Sequence, residues 1–155
     1  MGNSKLFLGA DHAGFELKEA VKKMLERERR EFEDLGAHDF DVDDDYPDFA
    51  KAVCEKIQKE GGKGILICGT GQGMAITANK FPGIRASVCW NEKTIEVAAE
   101  HNKANIICLG GKILSKSEGM KLVKLWIKSE FTNEPRHIRR IKKIEAIEKD
   151  EIHSQ

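Results

Sequence analysis

Short apolar runs alternate with longer stretches in which apolar residues recur every three or four positions. The short runs predict strands, the longer ones amphipathic helices. Lys5–Gly9 reads as a first strand and Gly14–Arg30 as a helix carrying Leu17, Val21, Met24 and Leu25 on one stripe. A weaker strand follows at Glu31–Leu35, then an acidic loop. Pro47 suits the first turn of a second helix, through Ala50, Val53 and Ile57, which Gly61-Gly62 stops. Gly64–Cys68 is a continuous apolar run of the kind a strand buried on both faces requires. Beyond it the pattern predicts a helix to about Lys80, a strand at Ile84–Cys89, a helix at Glu92–His101, a strand at Asn105–Leu109 and a helix at Ser115–Phe131. From Pro135 a last helix carries Ile138, Ile141, Ile144 and Ile147.

Five strand-then-helix units imply a parallel sheet, since parallel neighbours need crossover helices. The expected fold is a three-layer α/β/α sandwich, a doubly wound five-stranded parallel sheet of flavodoxin-like type. A closed barrel needs about 250 residues, and the chain has 155, the length of one domain. Residues 134–155 exceed what the sheet needs, and the isoleucine stripe suggests packing on a partner subunit.

Hydrophobic residues make up 40% of the chain and charged residues 34%, with no formal net charge at pH 7. That balance argues against a nucleic-acid partner, which calls for a basic excess. No run is long and apolar enough to suggest a leader or membrane span, so a cytoplasmic protein is expected. Cys54, Cys68, Cys89 and Cys108 form no CxxC pair and should be free thiols there. Charge is placed unevenly: Asp39–Asp48 is acidic, Arg136–Lys143 basic. A local basic cluster on a neutral chain suits a small anionic ligand.

In open α/β sheets, ligands bind beyond the carboxyl ends of the strands, where strand order reverses. The first strand leads into Gly9-Ala10-Asp11-His12-Ala13-Gly14 and the third into Cys68-Gly69-Thr70-Gly71-Gln72-Gly73. Glycines at 69, 71 and 73 let backbone N–H groups approach a ligand, forming a cradle for a phosphate or an oxyanion. The Gly-Lys-Ser/Thr ending of a phosphate-binding nucleotide loop is missing. Cys68 sits where a helix N-terminus favours a thiolate, able to take a proton from carbon; its other reading is a small buried hydrophobe. The other three cysteines lack that setting and read as core. Asp11 caps the helix, orders a substrate hydroxyl, or does both, while His12 meets an anion. His101, ending a helix, reads as a dipole partner more readily than as a catalyst. Arg136 and Arg140 share one helix face near its N-terminus, where cations oppose the dipole, which points to a phosphate ligand or to a neighbour's acidic loop.

Together these segments, with Asp45-Tyr46-Pro47-Asp48, Asn79-Lys80-Phe81-Pro82-Gly83-Ile84-Arg85-Ala86, Glu100-His101-Asn102 and Arg136-His137, closely resemble the type B ribose-5-phosphate isomerases and the related galactose-6-phosphate isomerase subunits, from about Lys5 to Ile144. The resemblance implies a homodimer or dimer of dimers acting on a sugar phosphate without metal or coenzyme. It implies that Cys68 moves a proton between C1 and C2 through a cis-enediolate, with Thr70 orienting Cys68 or a hydroxyl. His101 would assist ring opening. Asp11, His12, Tyr46, Gly69, Gly71, Gln72, Gly73 and Asn102 would line the substrate site. Lys112, Arg136, His137 and Arg140 would serve its phosphate end. Lys112 stands where many members carry arginine and lacks the two-pronged grip of a guanidinium. Trp90-Asn91-Glu92 also departs from the common pattern and could narrow the range of sugars accepted. Isomerisation of a six-carbon sugar phosphate, non-catalytic binding of a sugar phosphate, and flavin binding are the competing readings. Few aromatics are present to sandwich a flavin.

Overall fold

The computed structural model describes residues 4–154. Its five strands are β1 (Leu6–Ala10), β2 (Phe32–Asp34), β3 (Lys63–Cys68), β4 (Ala86–Val88) and β5 (Ile106–Gly110). Its six helices are α1 (Phe15–Arg27), α2 (Tyr46–Glu60), α3 (Gln72–Ala78), α4 (Glu92–Glu100), α5 (Lys116–Lys128) and α6 (Pro135–His153). Pairing is parallel throughout, in the order β2-β1-β3-β5-β4. That is the expected doubly wound sheet, and its order reverses between β1 and β3.

Two cores explain why the central strands read as unbroken apolar runs. Successive side chains point to opposite faces. Leu6, Leu8, Ala10, Ile65, Ile67, Ile107 and Leu109 pack with α1, α4 and α5, while Phe7, Leu66, Cys68, Ile106 and Cys108 pack with α2 and α3. The predicted stripe of α1 (Leu17, Val21, Met24 and Leu25) is buried as a unit.

Helix ends fall inside the expected ones. α3 stops at Ala78, because Lys80 and Phe81 turn back onto Thr77 and Ala78. β4 keeps only three residues at the sheet edge. A charge holds the opposite edge. Lys18 is fully buried, its Nζ 2.7 and 2.8 Å from the two oxygens of Asp34 at the end of β2, and Lys22 reaches the same carboxylate at 2.7 Å. Only His137 and Ile141 of α6 are buried, and Ile144, Ile147 and Ile152 are 49%, 64% and 50% exposed. No helix among the described residues is long and apolar enough to cross a membrane.

Candidate active site

The exits of β1, β3 and β5 are tied to one another by main-chain hydrogen bonds. Asp11 N–H donates to Ile67 O at 3.2 Å, Gly111 N–H to Cys68 O at 2.7 Å, and Lys112 N–H to Gly69 O at 3.0 Å. Cys68 ends β3 with 4% exposure, and its Sγ accepts the N–H of Gly71 at 3.2 Å. That donor exists because Gly71 takes a φ of +85°, a conformation side chains resist, with its Cα face against the Cys108 carbonyl. The other thiols are placed differently. Cys54 and Cys89 donate to carbonyls, and burial pushes them up to about 12 and about 11, respectively. Cys108 is pushed well above its ordinary value by the same cause. Those three are core, as their positions in helix and strand suggest.

Around the sulfur, Thr70 and Gln72 are exposed, and the Gln72 N–H donates to Thr70 Oγ1 at 3.4 Å. The lysine at 112 lies over Gly69, where an added Cβ would stand 3.5 Å from its Cδ. Gly73 also has a packing role besides the ligand approach read from its sequence. A Cβ there would come within 2.6 Å of the Tyr46 ring. The missing side chain seats Tyr46, at the start of α2, against the first turn of α3.

Asp11 and His12 complete this end. Asp11 is 5% exposed, and its Oδ1 accepts the N–H groups of Ala13 and Gly14, leading the chain into α1. Burial raises its carboxyl above the usual range, against those two hydrogen bonds and the His12 charge. The nearest partner of His12 was not legible in the sequence. Asp44, from the acidic loop before α2, accepts both the His12 backbone N–H at 3.0 Å and Nδ1 at 2.8 Å. The Asp44 hydrogen bond and the neighbouring Asp11 charge hold the imidazole above its ordinary value, against partial burial and the Lys112 charge. Asp11, His12 and Asp44 place one potential ligand atom each within 4.8 Å of one another. Nδ1 and Asp44 Oδ1 are bonded to each other, however, and Asp11 Oδ1 to two amides, so these atoms are already engaged and are not an open ligand set.

The remaining predicted residues lie at the other end of the sheet. Helix α4 runs back against the strands, so its C-cap His101 and the following Asn102 stand beside the entry of β5. A five-residue strand at about 3.3 Å per residue puts roughly 15 Å between that level and Cys68. His101 stacks on His137 with ring centroids 4.2 Å apart. His137 is 2% exposed and lies 2.8 Å from Thr132 Oγ1, whose own hydrogen goes to Glu100 O at 3.0 Å. The imidazole therefore donates from Nδ1 to the hydroxyl. Burial first, then the charges of His101 and Arg136, lowers its tendency to protonate. Arg136 and Arg140 are exposed on the first turns of α6, and Arg136 Nε donates to Glu134 at 2.8 Å. Trp90 leaves the edge strand β4 with 56% exposure, separated from β3 by β5. One chain thus carries two separate groups of candidate residues: a sulfur, amides, His12 and Lys112 at the strand exits, and an imidazole with arginines at the strand entries.

Residues 6–144 match the Ribose/Galactose Isomerase family. The chain belongs to the ribose/galactose isomerase family. It is 42% identical over 147 residues to a probable ribose-5-phosphate isomerase B of Mycoplasma genitalium, covering 94% of this chain and 96% of that one. Among solved structures, ribose-5-phosphate isomerase B of Clostridium thermocellum superposes with a TM-score of 0.90 at 41% identity, covering 94% of this chain and 98% of that one. The Mycoplasma genitalium enzyme with bound ribulose-5-phosphate superposes at 0.89, also at 41% identity, covering 94% and 96%. Both groups of candidate residues fall inside the matched span. Asp44 and Thr132 are the contributors that sequence reasoning missed. Three consecutive aspartates, at 43 to 45, gave no sign of which one turns inward, and a lone threonine in a loop carries no pattern.

Proposed function

We propose that the protein interconverts ribose 5-phosphate and ribulose 5-phosphate as a type B ribose-5-phosphate isomerase, through a cis-enediolate. The observation that carries this reading is the Cys68 sulfur, held by the Gly71 amide at 3.2 Å beside the glycine turn and the His12 and Lys112 side chains, within a chain of this family. In the open-chain sugar, the Cys68 thiolate takes the proton from the carbon next to the carbonyl. Electrons move into the C1–C2 bond and charge onto oxygen, where main-chain amides of Gly69 to Gly73 stabilise it. The proton on the C2 oxygen passes to the C1 oxygen and the abstracted proton returns to C1, which completes the exchange, with Thr70 and Asp11 ordering hydroxyls.

Two copies complete each site in this reading. His101 and Asn102, with Arg136 and Arg140, stand at the strand entries, where they cannot reach the Cys68 of their own chain. A second chain, docked through the exposed isoleucines of α6, would bring its imidazole for ring opening and its guanidinium groups for the phosphate. His137 is packed beneath His101 and acts by holding that ring, while Tyr46 walls the glycine turn. Residues 1–155 act as one domain, with 134–155 as the arm to the partner. The four free thiols accord with a reducing cytoplasm.

The test is incubation with ribose 5-phosphate in deuterated water. Ketose should form, with deuterium incorporated at the carbon beside the carbonyl. A faster turnover of allose 6-phosphate or galactose 6-phosphate would move the assignment to a six-carbon substrate. Binding without exchange of any phosphosugar would overturn catalysis altogether.

A further inference from the structure

We infer that Asp44 is the positioning residue that keeps His12 charged and aimed into the crevice, so that its free Nε2 donates to an anionic oxygen of the substrate. The inference rests on the isomerase reading for its substrate, and on geometry for the rest. Asp44 comes from the loop before α2, 32 positions from His12, and accepts from both the backbone and the ring of that one residue. An ionised carboxylate only accepts, so Nδ1 must carry the proton of that bond in either state of the ring. What protonation changes is Nε2: an acceptor when the ring is neutral, a donor when it is charged.

The Asp44 side chain is only 9% exposed, and its Oδ2 is buried with no hydrogen-bond partner. Among the described residues its sole ion pair is with His12. A carboxylate withdrawn from water with one oxygen unmet is costly unless a cation neutralises it. Imidazolium at position 12 supplies that cation. Edge-on contact with Phe40, at 6.3 Å between ring centroids, limits the other motions of the imidazole. The charged groups facing His12 are Asp11 from the β1 exit, Asp44 from its loop and Lys112 from the β5 exit. The two carboxylates favour the charged ring and the lysine opposes it. His12 and Lys112 then present two positive groups to the same crevice. Lysine at 112 supplies only a point charge there, which leaves more of the anion's orientation to His12.

The experiment pairs Asp44→Asn with the unmodified protein. Asparagine keeps an oxygen to accept from His12 and removes the charge. His12 is followed by its ring-proton resonance in a pH titration, assigned with His12→Ala, and isomerisation of ribose 5-phosphate is measured from pH 6 to 9. In the unmodified protein the His12 midpoint should lie above about 6.5, the ordinary imidazole value. In Asp44→Asn it should fall by about one unit, the effect of losing one close opposite charge. At pH 8, kcat/KM should then drop about tenfold, chiefly through KM, while at pH 6 the variant should stay within about threefold of the unmodified protein. Asp44→Glu should restore much of the loss. An unchanged midpoint, or an equal loss of activity at every pH, overturns the inference. If Asp44→Asn does not fold, a midpoint at or below about 6.5 in the unmodified protein overturns it too. A protein that isomerises no phosphosugar sinks the isomerase reading instead, and the titration still decides whether Asp44 charges His12.

Discussion

Cys68 and its three sister thiols differ by what meets each sulfur. An amide N–H points at Cys68, carbonyls face Cys54 and Cys89, and apolar side chains enclose Cys108. Replacing Cys68 with alanine should therefore lower kcat by about 10²–10⁴, the usual worth of a general base. The thermal midpoint should shift far less. Steady-state kinetics beside a melting curve check both, and retained turnover would remove the sulfur from the chemistry. Asp34 gives a second prediction, one of stability. Burial raises its carboxyl, but the bonds from Lys18 and Lys22 and the Gly36 amide outweigh that and hold it below the usual range. A depressed carboxyl stabilises the fold above its unfolded value, near 3.9, and that contribution disappears as pH falls through the lower, folded value. Asp34→Ala should cost about 3–5 kcal/mol at neutral pH, because it leaves the buried Lys18 Nζ with only its longer, 3.5 Å contact to Glu19. Acid denaturation below about pH 4 should be less steep in the variant than in the unmodified protein.

Helices α2 and α3 meet where the Tyr46 ring occupies the volume above Gly73. An added methyl group there has no room, and overpacking of this kind costs about 1–3 kcal/mol. Gly73→Ala should thus destabilise the protein and raise KM by displacing the wall of the glycine turn. Tyr46→Ala in the same chain should relieve most of the stability loss, a non-additivity readable from denaturant midpoints. Additive losses would mean that the ring and the glycine do not share that space.

In the proposed two-copy site, assembly decides whether the two groups of residues meet. In a two-fold dimer, mixing subunits carrying Cys68→Ala with subunits carrying His101→Ala yields hybrids with one intact site of two. After dissociation and random reassociation, activity should recover to about a quarter of the unmodified level from two nearly inactive parents. No recovery would show that each chain works with its own His101 or without it. Ile144→Glu with Ile147→Glu should abolish the assembly, since both side chains are half-exposed or more on α6. Sedimentation would report this as a smaller species, with activity lost alongside it.

Much of this was legible along the chain because periodicity reports burial. The unbroken run Gly64–Cys68 had to lie between two helical layers, and the stripe of α1 had to face a sheet, so layer order and the crevice at the strand exits followed. The glycine turn and Cys68 were legible too, since one strand end and its turn place them locally. Contacts between distant segments were not, because a pattern gives the face a residue occupies and not its neighbour across space. Only the folded chain decided that Asp44 turns inward to His12, that Tyr46 fills the space above Gly73, and that His101 stands about a strand's length from Cys68.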